Sequence, residues 1–307
     1  FIAVDIFFML SGYTLALRYG HVFTKQSTGR DIDRFYWRRL KRIWPLHALM
    51  VGVIGWMACA HIPHPISSGV EDVIFKHWKW SLALNLLLMN GWGIMPVASW
   101  NEPAWTLSVT FLLYILFPNL NLLLNKIPHK RHFPACVIAI LIIGYGIFIT
   151  SIPLGSNSDS VGGILRGLVF FISGMVLTKT NDSLKPSIGI ITFVIAILSW
   201  TYIYPFHLTI LHLTFPLLLL SLANSERTIL PTRFSAWLGQ ISFPLFLSHY
   251  PALLLIKHVA GDWLMRFCAT NAIYKILCYL AVIATCLITA DLLNRLDSLL
   301  HKQKTTS

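Results

Sequence analysis

The stretch GQISFPLFLSHYPALLL, residues 239–255, places His249 within an apolar run, directly before Tyr250 and Pro251. Proline leaves one backbone carbonyl of a helix without its donor. Beside that carbonyl stands an imidazole, the side chain best suited to move a proton near neutral pH. The plainer reading is a histidine hydrogen-bonded between helices. A second group is cationic: in RFYWRRLKRIWPLH, residues 34–47, Arg38, Arg39 and Arg42 precede Pro45. On a helix Arg38 and Arg42 share a face, with Arg39 about 100° round. Their forked donors suit phosphates, and a cationic flank of a membrane helix needs no ligand at all. In NEPAWTLSVTFLLYILFP, residues 101–118, Glu102 and Pro103 lead into Trp105, Thr106 and Ser108. Here Trp105 reads as an interfacial anchor, and the two hydroxyls as bonds to backbone carbonyls. Finally, FIAVDIFFMLSGYTLALRYG, residues 1–20, sets Asp5 and Ser11–Gly12 among apolar neighbours.

The elements that carry these residues must lie in lipid. Of the 307 residues 56% are hydrophobic and only 12% charged, with a mean hydropathy of +0.67. A soluble domain carries about 25% charged residues. In hydrocarbon a central charge costs about 2.5–3.5 kcal/mol on insertion scales, which makes each embedded polar group a candidate for function. A span takes about 20 apolar residues. Nine stretches qualify: 1–19, 43–60, 103–125, 134–152, 161–178, 187–204, 206–223, 240–258 and 271–294. Residues 80–95, broken by Gly91 and Gly93, read as a short re-entrant or interfacial segment. The expected fold is all-α, a polytopic integral membrane helix bundle, because the runs are continuous rather than ten-residue alternations. Pro45 is expected in the first turn or two of its helix, where a missing N–H costs little. No linker, low-complexity block or internal repeat divides the chain, so residues 1–307 read as one transmembrane domain ending in a short cytoplasmic tail, 295–307.

Charge placement orients the bundle. With residues 20–42 in the cytoplasm, 18 of the 24 lysines and arginines fall on that side and 5 on the other, Arg166 lying within a helix. That bias puts the C-terminus in the cytoplasm. The net charge of +12 requires no nucleic acid, since anionic headgroups meet the cationic loops. From Arg18 to Arg42, eight cations face only Asp31 and Asp33, which leaves either a polyanionic ligand or a lipid surface as their partner. The five cysteines, Cys59, Cys136, Cys268, Cys278 and Cys286, lack metal or disulfide spacing and read as small buried hydrophobes. His61 and His64 give at most a weak metal motif, and no metal site is expected.

Together these segments resemble the membrane-bound acyltransferase 3 family of bacterial O-acyltransferases. VDIFFMLSGY (4–13) is similar to its VDxFFxLSG signature and WRRLKRIWPLH (37–47) to its RRxxRIxP segment. NEPAWTLSVTFLLYILFP is similar to its WSLSVExxFYLxFP helix, LRGLVFFISGM (165–175) to RFLPEFLLGM, and ISFPLFLSHYP (241–251) to SYxLYLxHxP. All five occur in family order. The resemblance implies O-acyl transfer from a cytoplasmic acyl-CoA, usually acetyl-CoA, to a hydroxyl of a glycan or lipid-linked glycan, lipopolysaccharide and exopolysaccharide among them. It also implies a multi-pass protein of the bacterial inner membrane, in contact with lipids and with no bound cofactor. Arg38, Arg39 and Arg42 would meet the CoA phosphates. His249 and Ser11 would stand at the acyl-transfer site, with Asp5 orienting a histidine or paired with an arginine such as Arg166. Trp105, Ser108 and Arg166 would lie on the acceptor side; for Arg166 snorkelling to headgroups is the plain alternative. Two departures qualify the match. Family members carry a preceding helix with an arginine and, about ten residues on, a histidine in the role of catalytic base, so the chain is expected to begin at the second helix. Thr110 stands where the pattern has glutamate, and Glu102 is more than two turns away. The rival readings are a transporter or flippase for an anionic or glycan substrate, which the lack of an inverted repeat disfavours, and an inactive relative serving as a partner in glycan synthesis.

Overall fold

The computed structural model describes residues 2–24, 27–60, 78–94, 100–126, 133–151, 161–179, 185–198, 207–223, 232–270 and 272–303. Among them lie ten α-helices and no strand. In chain order they are α1 (Ile2–Tyr19), α2 (Gly29–Cys59), α3 (Trp78–Leu86), α4 (Ala104–Leu124) and α5 (Phe133–Ser151). There follow α6 (Val161–Leu177), α7 (Pro186–Leu198), α8 (His207–Ala223), α9 (Thr232–Thr270) and α10 (Ala272–Gln303). Among the described residues four segments are long and apolar enough to cross a membrane: Gly29–Cys59, Ala104–Leu124, Arg233–Gly261 and Tyr274–Leu296. The last shows what a lipid-facing helix looks like. Ile276, Leu277, Leu280, Ile283 and Ile288 are all exposed along it, which in water would waste the burial of large side chains. His61 and His64 lie outside the described residues.

The expectation for Pro45 is corrected. Helix α2 begins at Gly29, so Pro45 stands mid-helix and leaves the Lys41 carbonyl without its helical donor. What starts the helix is a cap upstream: the Thr28 amide and hydroxyl donate to the Asp31 carboxylate at 3.1 and 2.7 Å, the return limb of a capping box. The basic stretch is helical because its two faces differ. Phe35, Ile43 and His47 are buried at four- and eight-residue spacing, while Arg34, Trp37, Arg38 and Lys41 are exposed.

The chain forms two compact units. The first comprises Phe1–Arg42, Gly91–Val97 and Trp105–Thr228. Its core gathers Phe8, Phe23, Phe35, Phe117 and Phe171 around Trp105 and Leu113. Helix α1 packs on α6 at backbone range: a Cβ on Gly12 would overlap the Phe171 carbonyl, and one on Gly174 the Met9 carbonyl. Small residues permit that approach, which maximises dispersion contact where lipid gives no hydrophobic drive. The turn after α1 is held by Asn121 of α4, whose Nδ2 donates to the carbonyls of Gly20 and Phe23, both at 2.9 Å. Asn121→Leu takes the donor from both carbonyls. It is expected to cost about 1–3 kcal/mol, read as a lower midpoint of thermal unfolding in detergent with helix content unchanged.

The second unit comprises Ile43–Asn90, Ala98–Ala104 and Ile229–Ser307. In it α9 packs along α10, and Ile54, Met57 and Leu254 form a small core with Val53, Trp100 and Tyr250 around them. Two non-glycine residues of this unit, Leu88 (φ 58°) and Trp100 (φ 64°), adopt left-handed backbone, a conformation that costs about 1–3 kcal/mol and persists only where neighbours enforce it.

Candidate active site

The three arginines of α2 part company in the structure. Arg38 and Arg42 are exposed, whereas Arg39 turns inward. Its guanidinium carbon lies 5.0 Å from the ring centre of Tyr19, 5.5 Å from Phe35 and 5.6 Å from Tyr114. The ring faces stabilise the charge without cancelling it, and the buried Nε has no hydrogen-bond partner among the described residues. The Tyr114 hydroxyl has the Ser11 hydroxyl and the Arg39 guanidinium as polar neighbours and feels the charge of Arg42. Tyr19 faces Arg39 and Arg38, with Arg18 nearby. Ser11, Tyr114, Arg39 and Tyr19 therefore form one polar group with a fixed cation and three hydroxyls. The sequence reading gave Tyr19 no role and Tyr114 only a place in its span, where it meets the tyrosine of the family's FYLxFP pattern.

Asp5 and Arg166 form a bidentate ion pair, Nε to Oδ1 at 2.5 Å and Nη2 to Oδ2 at 2.6 Å. Of the readings open for Asp5, pairing with Arg166 is the one the structure contains. Snorkelling of Arg166 is corrected, because its side chain is 9% exposed and that of Asp5 0%. The forked geometry ties α1 to α6 and fixes both side chains.

Trp105 is not an interfacial anchor. It is buried against Phe8 at 6.5 Å between ring centres. The Ser108 hydroxyl, rather than donating only along its helix, accepts the Gly91 amide at 3.0 Å, and the Ser108 carbonyl accepts the Trp92 indole N–H at 3.2 Å. It thus pins the turn that follows α3. Thr110 donates to the Thr106 carbonyl at 2.7 Å, a bond within its own helix, so its hydroxyl is engaged in α4 itself.

His249 is half-buried on α9. Its Nδ1 lies 2.7 Å from the Phe246 carbonyl and 3.2 Å from that of Leu245. Carbonyls only accept, so Nδ1 carries the proton and Nε2 of the neutral ring keeps its lone pair. Pro251 frees the Leu247 carbonyl, and Asn101 Nδ2 donates to it at 3.0 Å. The strained Trp100 is held by its indole N–H on Ser81 Oγ at 3.0 Å. Asn85 Nδ2 donates to the Ser81 carbonyl at 2.9 Å, and His47 Nε2 donates to the Asn85 carbonyl at 2.8 Å. Tyr250 faces the Glu102 carboxylate. Sequence reading flagged the ends of this chain, NEPAW and WPLH, but assigned no role to Asn101, Asn85 or His47. No three potential metal ligands gather among the described residues. Cys278 and Cys286 are buried; Cys59 and Cys136 are exposed on their helices, which corrects the expectation that all are interior.

A family model described as an acyltransferase domain matches residues 1–291. The acyltransferase MdmB of Streptomyces mycarofaciens is 35% identical over 139 residues, 42% of this chain and 30% of that protein. A Staphylococcus aureus (strain COL) protein, provisionally named an O-acetyltransferase, is 24% identical over 301 residues, 85% of this chain and 47% of its own length. The O-acetyltransferase OatA of Staphylococcus aureus (strain NCTC 8325 / PS 47) is 26% identical over 187 residues, 58% of this chain and 29% of its own. The chain thus spans less than half the length of these relatives. No solved structure matches.

Proposed function

Because this chain belongs to the acyltransferase family matched over residues 1–291, we propose that its protein moves an acyl group, acetyl by the names of its relatives, from acyl-CoA to a hydroxyl of a glycan. The reading includes about nine membrane spans in a bacterial inner membrane, with the C-terminus in the cytoplasm. The observation that carries it is the Arg39 cage. A guanidinium held by three aromatic faces, with a buried Nε lacking a partner, is prepared for an anion and has forked donors to offer it. The 3′-phosphate and pyrophosphate of CoA are such anions, and the exposed Arg38 and Arg42 add to the field that draws them in.

In the chemistry this implies, the acceptor hydroxyl attacks the thioester carbonyl, the C–S bond breaks and the thiolate of CoA leaves. Developing charge on the carbonyl oxygen needs hydrogen-bond donors; Ser11 and Tyr114 are the candidates. The hydroxyl proton needs a base that can return it to the thiolate; within the second unit the candidate is His249, whose Nε2 keeps its lone pair. Asp5 and Arg166 hold α1 and α6 in register for this group.

Transfer of radiolabel from acetyl-CoA to membrane glycan tests the reading. With the intact protein, Arg39→Ala is expected to raise the KM for acetyl-CoA about 10–100-fold, the loss of one charge-assisted contact worth about 1.5–3 kcal/mol. Arg39→Lys is expected to restore little, because an ammonium neither stacks nor forks as a guanidinium does. Wild-type protein that transfers no label, or an Arg39→Ala variant with an unchanged KM, would overturn it.

A further inference from the structure

Three consecutive residues before α4 grip α9 on both sides of His249. Asn101 Nδ2 donates to the Leu247 carbonyl at 3.0 Å, two positions before the histidine. Tyr250, one position after it, joins Trp100 around the small core of Ile54, Met57 and Leu254 and faces the Glu102 carboxylate. The grip is itself anchored. Trp100 takes left-handed backbone at φ 64°, a conformation that only surrounding contacts sustain, and its indole N–H donates to Ser81 Oγ at 3.0 Å.

Stability alone gives no reason for the bond from Asn101. The Leu247 carbonyl is open because residue 251 is proline; any other residue there would supply an N–H from within α9. Asn101 is 0% exposed, and its Oδ1 has no hydrogen-bond partner among the described residues. A buried polar atom left in that state is costly, and native structures hold few of them. Proline and asparagine together therefore replace an ordinary helical bond by a long-range one, at a net loss of stability.

What the exchange gains is control of direction. A helix with one rung missing bends readily at that turn, and the contact that closes the gap fixes the angle. His249 lies inside the gap, between Leu247 and Pro251. Its ring rides on the turn before, with Nδ1 2.7 Å from the Phe246 carbonyl and 3.2 Å from that of Leu245. The ring moves with the carbonyl that Asn101 holds, and Nε2 points where that turn points.

We propose that Asn101 is a positioning residue for His249: by holding the Leu247 carbonyl across the proline gap, it sets the direction of the Nε2 lone pair. For its effect on turnover the inference rests on the reading of His249 as the base; the placement of the ring is measured without turnover.

The test uses the intact protein in detergent, as wild type, Asn101→Ala and Asn101→Ala/Pro251→Ala. Asn101→Ala is expected to lower kcat about 10–100-fold, the effect of a small misplacement of a reacting group, with an unchanged KM for acetyl-CoA. It is also expected to unfold at a lower temperature, since the carbonyl loses its donor. The second substitution returns a helical N–H to the Leu247 carbonyl, so the unfolding temperature is expected to recover while kcat does not. Carbethoxylation of His249 by diethyl pyrocarbonate, followed by mass spectrometry, reads the ring itself, and its rate is expected to differ from wild type in both variants. Recovery of kcat together with the unfolding temperature would show that the bond only occupies the carbonyl, and overturns the proposal. A wild-type kcat in Asn101→Ala, or one carbethoxylation rate for all three proteins, overturns it too. If wild type transfers no label from acetyl-CoA, the acyl-transfer reading fails, and the carbethoxylation rates still decide the role of Asn101.

Discussion

Asp5→Leu is expected to destabilise the protein by about 3–5 kcal/mol, the cost of leaving one half of a buried ion pair behind. The prediction follows from the placement of the pair. Asp5 is fully buried on α1, Arg166 nearly so on α6, and their two hydrogen bonds are short and parallel. Removing the carboxylate takes both hydrogen bonds of the pair from a guanidinium whose side chain is only 9% exposed. Arg166→Met alone should cost a similar amount by stranding the carboxylate. The double variant Asp5→Leu/Arg166→Met should recover most of the loss, because apolar groups of like volume often replace a buried pair at no net cost. Unfolding in detergent, followed by the loss of helical signal, reads all three. Single variants within 1 kcal/mol of wild type would show that the pair is solvated in the membrane.

The second large effect concerns His249. His249→Asn is expected to lower kcat for acyl transfer about 100- to 10,000-fold, the range for loss of a general base, while the protein stays folded. Asparagine keeps an amide N–H near the place of Nδ1, so the bond to the Phe246 carbonyl can persist while the Nε2 lone pair is gone. A histidine that only braces α9 would tolerate this exchange. Near-wild-type turnover in His249→Asn would therefore end the role of base, whereas loss of folded protein in His249→Ala alone would decide nothing between the two.

Much of the fold was legible because membrane helices announce themselves by apolar length. The expected run 103–125 is α4, 161–178 is α6 and 206–223 is α8, each within a residue or two at either end. Where the helix outruns its apolar stretch the boundaries failed. The run 43–60 is only the last part of α2, and 240–258 lies inside the 39-residue α9. Hydropathy reports the solvent of a segment, while helix continues wherever caps and amphipathic spacing allow, as they do from Thr28 through Pro45. At the site, residue types were readable and partners were not. Asp5 and Arg166 are 161 positions apart, and no local pattern pairs them. Arg38, Arg39 and Arg42 differ only by which side of α2 meets Tyr19 and Tyr114, a matter of packing. Pro251 predicted a freed carbonyl, yet the donor that claims it, Asn101, lies 146 positions from Leu247. Trp105 was misplaced because tryptophan is common both at membrane interfaces and in cores, and its own neighbours in sequence do not distinguish the two.

The separation of Asp5 from Arg166 along the chain also sets a schedule. At about 5–20 residues per second of synthesis, roughly 10–30 s pass between the emergence of the carboxylate and that of the guanidinium. Throughout that interval α1 exists with its acidic group and without α6. The insertion machinery, or the lipid interface, must shelter α1 in the meantime, and release it only once α6 has been made.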